Sequence, residues 1–520
     1  MPGFPQREQP KTRSNSRGRL RRFLRRLWKC FVVYAMVSMA VSLIPEGPLD
    51  VEMLGEPERV QFSGTLVAGT GRAVITPPKE LWGGMNLYGE RPPITGALED
   101  LHVRALTLGA AGSREVLSIV GVELIIITSE MRDALQAELV RRGLDHVHFL
   151  LNATHNHSGP ANFYEARLFG RRVMGPYNRA WFDFLITRFA DAIEASTKTM
   201  RPARIGFGST PTRQLIKHRR FEDPVSGLRP PVDEDLEVIR VDGQADGKPI
   251  AYVLNLGVHP INLLHKTDGR IAADFPETVC RRLEETYPGA AALFLQGAPG
   301  SVRGTGPRPS GTYGDPGRGE KFGRIAMQSD MLLGFVREAE AAMSFDDRID
   351  LSAALVHVRL PGPDVHLFPE EKPWLGLRIL TLIPNRLFNW VWDWIELPDE
   401  TVFQAVRINH AYLLTFPCDL SNPLGWEIKQ HVRRGHVLVL GQSNDYSMGY
   451  VMSREAYDLG GIGGRGGPAR VQNFYGKRAG PFCVKTAGML ANMVREADAD
   501  DVLQYDVGDG PGRIPREEPR

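Results

Sequence analysis

The chain has few cysteines for its length: four among 520 residues, at positions 30, 280, 418 and 483. They form no CxxC pair and no zinc-finger spacing, which argues against a disulfide framework and a thiolate metal site. The sequence also lacks a strong excess of charge of one sign, since 63 Lys and Arg stand against 61 Asp and Glu. With 42% hydrophobic residues, it has the composition of a folded, enzyme-sized protein with a large core.

The basic residues are unevenly distributed. Residues 1–29 contain ten Lys and Arg and one acidic residue, Glu8. The rest of the chain is therefore mildly acidic, and it shows no footprint for nucleic-acid binding. High contents of glycine (54) and proline (38) indicate many loops with fixed turns and disfavour an all-helical bundle.

A hydrophobic segment, residues 30–45, directly follows the basic segment 1–29. Its apolar run of about fourteen residues is short for a full membrane span and typical of the core of a signal peptide. It is interpreted as a cleaved export signal or as an uncleaved anchor, with a buried core helix as the third alternative. The first two keep residues 1–29 in the cytoplasm. We expect a membrane-anchored protein with an extracytoplasmic catalytic domain, or a secreted one if the segment is cleaved.

The rest of the chain is predicted to be one catalytic domain behind a tether. Residues 46–62 are polar and rich in Pro and Gly, which predicts a linker. We assign residues 63–500 to the folded domain and residues 501–520 to a tail. Inside the domain, residues 373–396 hold four of the eight tryptophans. This insertion is predicted to be either a buried helix or a lipid-facing element beside the active site.

Strand and helix patterns alternate, which predicts a mixed α/β fold. Residues 116–127 are almost continuously apolar, as in a strand covered on both faces. Residues 129–142 have the pattern of a helix with Ser129 as N-cap, and residues 146–152 are a second buried strand. The loop after Asn152 therefore lies at the carboxyl end of a strand, where α/β proteins bind ligands. Further strands are predicted at 204–208, 236–241, 250–256, 402–416 and 436–440, and further helices at 181–197 and 485–497.

The strongest local motif follows that strand: Asn152-Ala-Thr-His155-Asn-His157-Ser-Gly-Pro160. Imidazoles at positions i and i+2 of an extended chain point in different directions, so both bind one metal only where the backbone turns between them. His259 and Asp419 also follow apolar strands, and they are candidate ligands for a hydrolytic zinc site, which needs three or four nitrogen or oxygen ligands. Three other histidines lack such placement: His218, His265 and His410.

Several short segments resemble, in order, those of the neutral ceramidase amidase domain. The most specific are Ala153-Thr-His-Asn-His-Ser-Gly-Pro160 and Asn444-Asp-Tyr-Ser-Met-Gly-Tyr450-Val. The resemblance runs from about residue 65 to residue 495 and implies a mixed β-sheet core flanked by helices. We expect this fold without the family's immunoglobulin-like C-terminal domain, for which the chain leaves no room. The remaining segments are Val67–Pro78, Asp100–Ala105, Val258-His259 and Gln296–Gly300.

The resemblance implies a zinc amidase that cleaves the N-acyl bond of ceramide, with zinc-activated water as the nucleophile. It assigns the zinc to His155, His259, Asp419 and Tyr450. Asp419 stands where the family has a glutamate, so its side chain is one methylene shorter.

The resemblance also implies roles around the metal. His157 would hydrogen-bond the substrate or the developing oxyanion, and Tyr475 would be an oxyanion donor. Arg219 matches an arginine that contacts substrate. The family's Gly-Asp-Val-Ser-Pro turn reads Gly300-Ser-Val-Arg-Gly304, so Arg303 replaces the active-site serine and Ser301 replaces the aspartate. Three residues of this turn are predicted to bind substrate: Gly300, Ser301 and Arg303.

The expected partners are a ceramide-like N-acyl lipid and a membrane surface, with Zn²⁺ as cofactor, no nucleic acid and no obligate protein partner. Two alternatives remain open. One is hydrolysis of another small or anionic N-acyl substrate, for which Arg303 would favour an anionic headgroup. The other is a non-catalytic, membrane-tethered lipid-binding relative, which the stoichiometric metal content would separate from either enzyme.

Overall fold

The structure is a computed structural model of the chain. Three predicted features lie wholly or largely outside the residues it describes: the tryptophan-rich insertion 373–396, most of segment 30–45 and the tail 501–520. The described residues are 23–33, 36, 49–85, 92–165, 174–213, 215–218, 231–264, 267–305, 319–362, 397–432, 435–453 and 472–495.

The described residues form strands and helices in alternation. The strands are β1 (Glu58–Val74), β2 (Gly96–Ala97), β3 (His102–Ala110), β4 (Val116–Val122), β5 (Val147–Ala153), β6 (Arg201–Pro211), β7 (Ile216–His218), β8 (Asp235–Gly243), β9 (Pro249–Leu256), β10 (Arg270–Ile271), β11 (Ala291–Gln296), β12 (Val302–Gly304), β13 (Phe345–Asp346), β14 (Arg348–Arg359), β15 (Glu400–Ile408), β16 (Ala411–Thr415), β17 (Asp419–Leu420), β18 (His436–Leu440) and β19 (Tyr450–Val451). The α-helices are α1 (Ser129–Arg141), α2 (Arg179–Lys198), α3 (Asp274–Thr286), α4 (Gly319–Glu340), α5 (Asn422–Val432) and α6 (Ala479–Met493), with short 3-10 turns at Lys79–Leu81 and Gly476–Arg478.

Strand β1 joins the parts of a 13-stranded sheet. Its first half pairs antiparallel with β14, which continues through β15 and β16 to β18. Its second half pairs antiparallel with β3, which continues through β4 to β5. β6 pairs with β1 at Val67 and Ala68 and leads through β8 and β9 to β11.

The hydrophobic core is layered. One cluster consists of strand residues alone, so it fills the space between the β3–β5 part of the sheet and the rest. Helices α1 and α2 cover the outer face of β3–β5. Helices α3 and α4 cover β8, β9 and β11, while α5 and α6 cover β15, β16 and β18. This architecture confirms the predicted fold class, a mixed β-sheet core flanked by helices.

Two glycines in the segment 67–78 let α2 lie close to β1. A Cβ atom added to Gly71 would stand 2.0 Å from the carbonyl oxygen of Ala192, and one on Gly69 would stand 2.3 Å from that of Ser196. Any side chain at these positions would push the helix off the strand. The Gly-x-Gly pattern is therefore required by helix–sheet packing.

The predicted βαβ unit is present, because β4 and β5 are parallel and α1 connects them. The strand predicted at 116–127 ends earlier, at Val122, and residues 123–128 form a loop. The apolar run continues past the strand because Leu124–Ile127 are buried in the same core. Their apolar character therefore indicates a buried position and not an extended strand. The N-cap of α1 is Thr128, whose hydroxyl accepts from Met131 N, and not the predicted Ser129.

Two other boundaries differ from prediction. The strand predicted at 402–416 is the hairpin β15–β16, which turns at Asn409 in the left-handed region (φ 52°). The predicted linker 46–62 is structured in part: Leu54 N donates to His357 O at 2.8 Å, and β1 begins at Glu58. The folded domain therefore starts before residue 63. In this stretch of β1 the buried residues are Val60 and Phe62. Two alternating apolar residues inside a polar segment are only a weak sequence pattern for a strand.

The N-terminal helical segment, residues 23–33, exposes several large apolar side chains. Phe23, Leu24, Leu27 and Trp28 each have more than half of their surface exposed. Among the residues that the structure describes, no helix is both long and apolar enough to cross a bilayer.

Candidate metal centre

Most of the predicted metal ligands lie where strands of the sheet end. His155 follows β5 by two residues, and His259 follows β9 by three. Asp419 opens β17 just beyond the end of β16, and Tyr450 opens β19, which pairs with β17 so that the two residues stand side by side. Strands that end at one edge of a sheet bring distant parts of the chain together, and His155 and His259 are 104 residues apart in sequence.

Three imidazoles and one carboxylate converge at this edge. The Nε2 atom of His155 lies 3.1 Å from Nε2 of His157 and 3.1 Å from Nε2 of His259. The Oδ2 atom of Asp419 lies 3.3 Å from the first of these nitrogens and 3.6 Å from that of His259. The turn that brings both histidines of the His-x-His motif to one point occurs at His155 itself, whose φ is 64°.

The hydrogen bonds of the two buried histidines fix where their ring protons lie. His155 Nδ1 is 2.8 Å from the carbonyl oxygen of Ile125, and His259 Nδ1 is 2.8 Å from that of Pro299. A carbonyl oxygen accepts only, so each Nδ1 carries the proton and each neutral ring presents an unprotonated Nε2. Both Nε2 lone pairs therefore point toward the same place.

The carboxylate of Asp419 adds further acceptors. Its side chain is fully buried, and neither oxygen accepts a hydrogen bond from the described residues. Acceptors that face each other this closely repel unless a cation lies between them. Tetrahedral zinc with ligands at about 2.0–2.1 Å has neighbouring ligand atoms about 3.3–3.4 Å apart, close to the spacings found here. The donor set thus fits a metal ion.

Two other predicted residues lie against this group. The ring of Tyr450 is nearly parallel to that of His259, with an interplanar angle of 7° and centroids 6.5 Å apart. Gly300 backs the carboxylate, because a Cβ atom there would be 3.0 Å from Asp419 Oδ1 and 2.9 Å from Leu420 O. Because Gly300 has no side chain, the Asp419 carboxylate can pack directly against its backbone.

The other two residues of that turn differ in exposure. Ser301 is buried, and its hydroxyl accepts from the backbone N–H of Asn422 at the start of α5. Arg303 lies on β12, and its backbone forms a bridge with His259. Its side chain is exposed, so the guanidinium is free of the core.

The predicted oxyanion donor Tyr475 does not have a free hydroxyl. Its side chain is 1% exposed within the cluster that α5 and α6 cover, and its hydroxyl donates to Pro398 O at 2.5 Å. A phenol has one proton to donate, and here a backbone carbonyl accepts the hydrogen bond it makes. Arg219 and His265 lie outside the described residues. His410 packs between Phe207 and His436 at the β15–β16 turn.

A second group of metal-ligand residue types was not predicted. His102, Glu123 and Glu277 are buried together. The guanidinium of Arg104 already pairs with both carboxylates, at 2.5 and 2.6 Å, and Arg72 donates to His102 Nε2, which leaves the ring proton on Nδ1 between the carboxylates. Burial and the charge of Glu277 raise the pKa of Glu123. The Arg104 guanidinium thus lies where a metal ion would otherwise bind. The sequence signal for this cluster is the alternation of His102 and Arg104 on the buried strand β3.

Comparison with known proteins places this geometry in context. No protein-family model matches the sequence. The chain is 27% identical over 257 residues to neutral ceramidase A of Dictyostelium discoideum, a match that covers 46% of this chain and 34% of that protein. The chain thus matches about a third of the length of this curated relative.

Solved structures share the fold over a longer stretch. The neutral ceramidase of Pseudomonas aeruginosa superposes with a TM-score of 0.64 at 17% identity, covering 82% of this chain and 74% of that one. A ceramidase complexed with C2 gives the same values. The chain is therefore a relative of the neutral ceramidases and has the fold of their solved structures.

Proposed function

We propose that the protein is a zinc-dependent amidase that hydrolyses the N-acyl bond of ceramide or a related N-acyl lipid. The observation that carries the proposal is the convergence of unprotonated imidazole nitrogens on a buried carboxylate that accepts no hydrogen bond from the described residues. The relationship to neutral ceramidases supports the choice of reaction and of substrate.

The residues that would hold the zinc are His155, His259, Asp419 and Tyr450. Their nitrogens and oxygens suit zinc, and the Nδ1 hydrogen bonds to Ile125 and Pro299 orient both imidazoles as outer hydrogen bonds do in zinc sites. Zinc in such a site polarises a carbonyl group and lowers the pKa of water to near neutrality.

His157 would carry the proton transfers. It is the one partly exposed imidazole of the three, whereas His155 and His259 are buried. An imidazole can both donate a hydrogen bond and transfer a proton, so His157 suits a group that hydrogen-bonds the oxyanion and then protonates the leaving amine. Its ring lies beside the other two, with its centroid 4.6 Å from that of His155 and 5.2 Å from that of His259.

Arg303 favours a second candidate function, hydrolysis of N-acyl lipids with an anionic headgroup. Its backbone pairs with that of His259, and its side chain is exposed at the same end of the sheet. An exposed guanidinium near the site would attract a carboxylate or phosphate on the substrate.

The proposal includes a membrane surface as the place of action. The N-terminal helical segment carries the apolar side chains Phe23, Leu24, Leu27 and Trp28 together with Arg25 and other basic residues, a combination that suits binding to an anionic bilayer. With the hydrophobic segment 30–45, this favours a membrane-anchored protein whose catalytic domain lies outside the cytoplasm, or a secreted one if the segment is cleaved.

The test is the zinc content and the amidase activity of the purified chain, the wild type beside two variants. We expect about one zinc per chain and cleavage of a fluorescent N-acyl sphingosine. His155→Ala is expected to lose both, while the control His410→Ala, at the distant β15–β16 turn, keeps both. Zinc without cleavage would redirect the search to acidic N-acyl lipids, and absence of both would favour a non-catalytic lipid-binding protein.

A further inference from the structure

One buried glutamine, Gln296 at the end of β11, is bonded to both loops that carry the converging histidines. Its Nε2 donates to Thr154 O at 2.8 Å, directly before His155, and to Val258 O at 3.1 Å, directly before His259. Its Oε1 accepts from Val258 N at 3.1 Å. Both amide protons and the carbonyl of this fully buried side chain are thus engaged.

The backbone of Gln296 is anchored as firmly as its side chain. The N–H of Gln296 donates to Asn152 Oδ1 at 2.7 Å, and its carbonyl accepts from Asn152 Nδ2 at 3.2 Å. The same Nδ2 donates to Gly441 O, just beyond β18, and to Ser443 Oγ. The backbone of Gln296 is therefore hydrogen-bonded, through Asn152, to the ends of β5 and β18.

We propose that Gln296 is a positioning residue that holds the His155 and His259 loops at the separation a metal ion requires. This inference rests on the proposed zinc site. Without a cation, the two Nε2 lone pairs and the Asp419 carboxylate would repel one another, which would favour separation of the two loops. Gln296 opposes it through three hydrogen bonds to the peptide groups that precede the histidines.

The role differs from that of an ordinary buried amide. Gln404 on β15 is also buried, and its Nε2 donates to Phe149 O while its Oε1 accepts from Asn444 Nδ2. It joins strand β15 to β5, and among the described residues its side-chain amide hydrogen-bonds to neither histidine loop. Gln404 is thus a matched control: the same side chain, similarly buried and bonded, without a connection to both ligand loops.

The experiment compares Gln296→Met and Gln404→Met in the full-length protein. Methionine has a similar shape and removes every amide hydrogen bond. Apo thermal stability, zinc affinity by chelator competition and the visible absorption of the Co²⁺-loaded protein are measured. We expect both variants to lose apo stability to a similar extent. Zinc affinity is expected to fall about 10- to 100-fold in Gln296→Met alone, together with an altered Co²⁺ spectrum.

The alternative outcomes are distinct. Equal zinc affinity in the two variants, with equal loss of stability, would overturn the positioning role and leave the zinc proposal intact. A wild-type protein that takes up neither zinc nor cobalt would overturn both. If Gln296→Met does not fold, Gln296→Glu replaces it, since glutamate keeps the shape and one acceptor but loses the two donated bonds when ionised. The same weakening of zinc binding at pH 8 is then expected.

Discussion

The carboxyl group of Glu99 makes the stability of this fold depend on pH in an unusual direction. Its Oε1 accepts from the N–H of Ala273, the N-cap residue of α3, which has no side-chain cap of its own. Burial, opposed by that hydrogen bond and assisted by repulsion from Glu277 and Asp274, raises the pKa of Glu99 to about 7 from 4.5.

The sign of the effect follows from proton binding. Between pH 4.5 and 7 the folded state binds the proton and the unfolded state releases it, so the free energy of unfolding falls as the pH rises through this window. A pKa difference of about 2.5 units corresponds to about 3 kcal/mol. The substitution Glu99→Gln keeps an acceptor for Ala273 N and removes the ionisation. We expect the variant to be more stable than the wild type by roughly 2–3 kcal/mol at pH 8 and equally stable at pH 4.5.

Urea unfolding of the full chain at the two pH values measures this difference. Glu138→Gln is the control of opposite sign, since hydrogen bonds from Arg141 and Arg142 lower the pKa of Glu138 to about 2. That variant, measured at pH 3 as well, should lose stability at pH 8 relative to the wild type and lose less at pH 3. A Glu99→Gln protein whose stability differs from the wild type equally at both pH values would refute the raised pKa.

Three further substitutions test the site. Asp419→Glu adds a methylene to a carboxylate that already reaches the imidazole nitrogens and is backed by Gly300. We expect overpacking to lower the free energy of unfolding by about 1–3 kcal/mol. Chelator competition should show zinc binding at least tenfold weaker, and tighter binding would contradict this. Tyr475→Phe loses the hydrogen bond to Pro398 O, so unfolding in urea should become easier by about 1 kcal/mol with the hydrolysis rate retained, whereas a large fall in rate would restore Tyr475 as an oxyanion donor. Arg303→Ser should shift relative rates from acidic N-acyl lipids toward ceramide, and unchanged relative rates across a panel of such lipids would count against a selecting role for Arg303.

The place of the site followed from local patterns. His155, His259 and Asp419 each come after an apolar stretch with the pattern of a strand, and strands of an α/β sheet expose their ligands where they end. Burial of the flanking strands in a common core then brings the three side chains together. The motif was also informative about His157, which joins the same group because His155 adopts a left-handed backbone conformation.

Similarity of local sequence was less reliable for hydrogen-bond partners. Tyr475 was predicted to be an oxyanion donor because the residues around it match the family's pattern. Its hydroxyl donates instead to the carbonyl oxygen of Pro398, 77 residues away in sequence. Ser301 was assigned to the substrate, and its buried hydroxyl also accepts from Asn422 N, 121 residues away. No local pattern carries that information, because the partner is chosen by the packing of α5 and α6 on the sheet.

The sequence by itself determined the mixed α/β class and the strand ends at which His155, His259 and Asp419 come together, because period-2 and period-3.6 patterns and turn residues act over a few positions. The tertiary structure alone decided which ring nitrogens face one another, that Gln296 joins the two histidine loops, and that Arg104 takes the place of a cation beside Glu123 and Glu277. These contacts link residues 19 to 173 positions apart. They exist only after the strands have paired and the helices have closed over them.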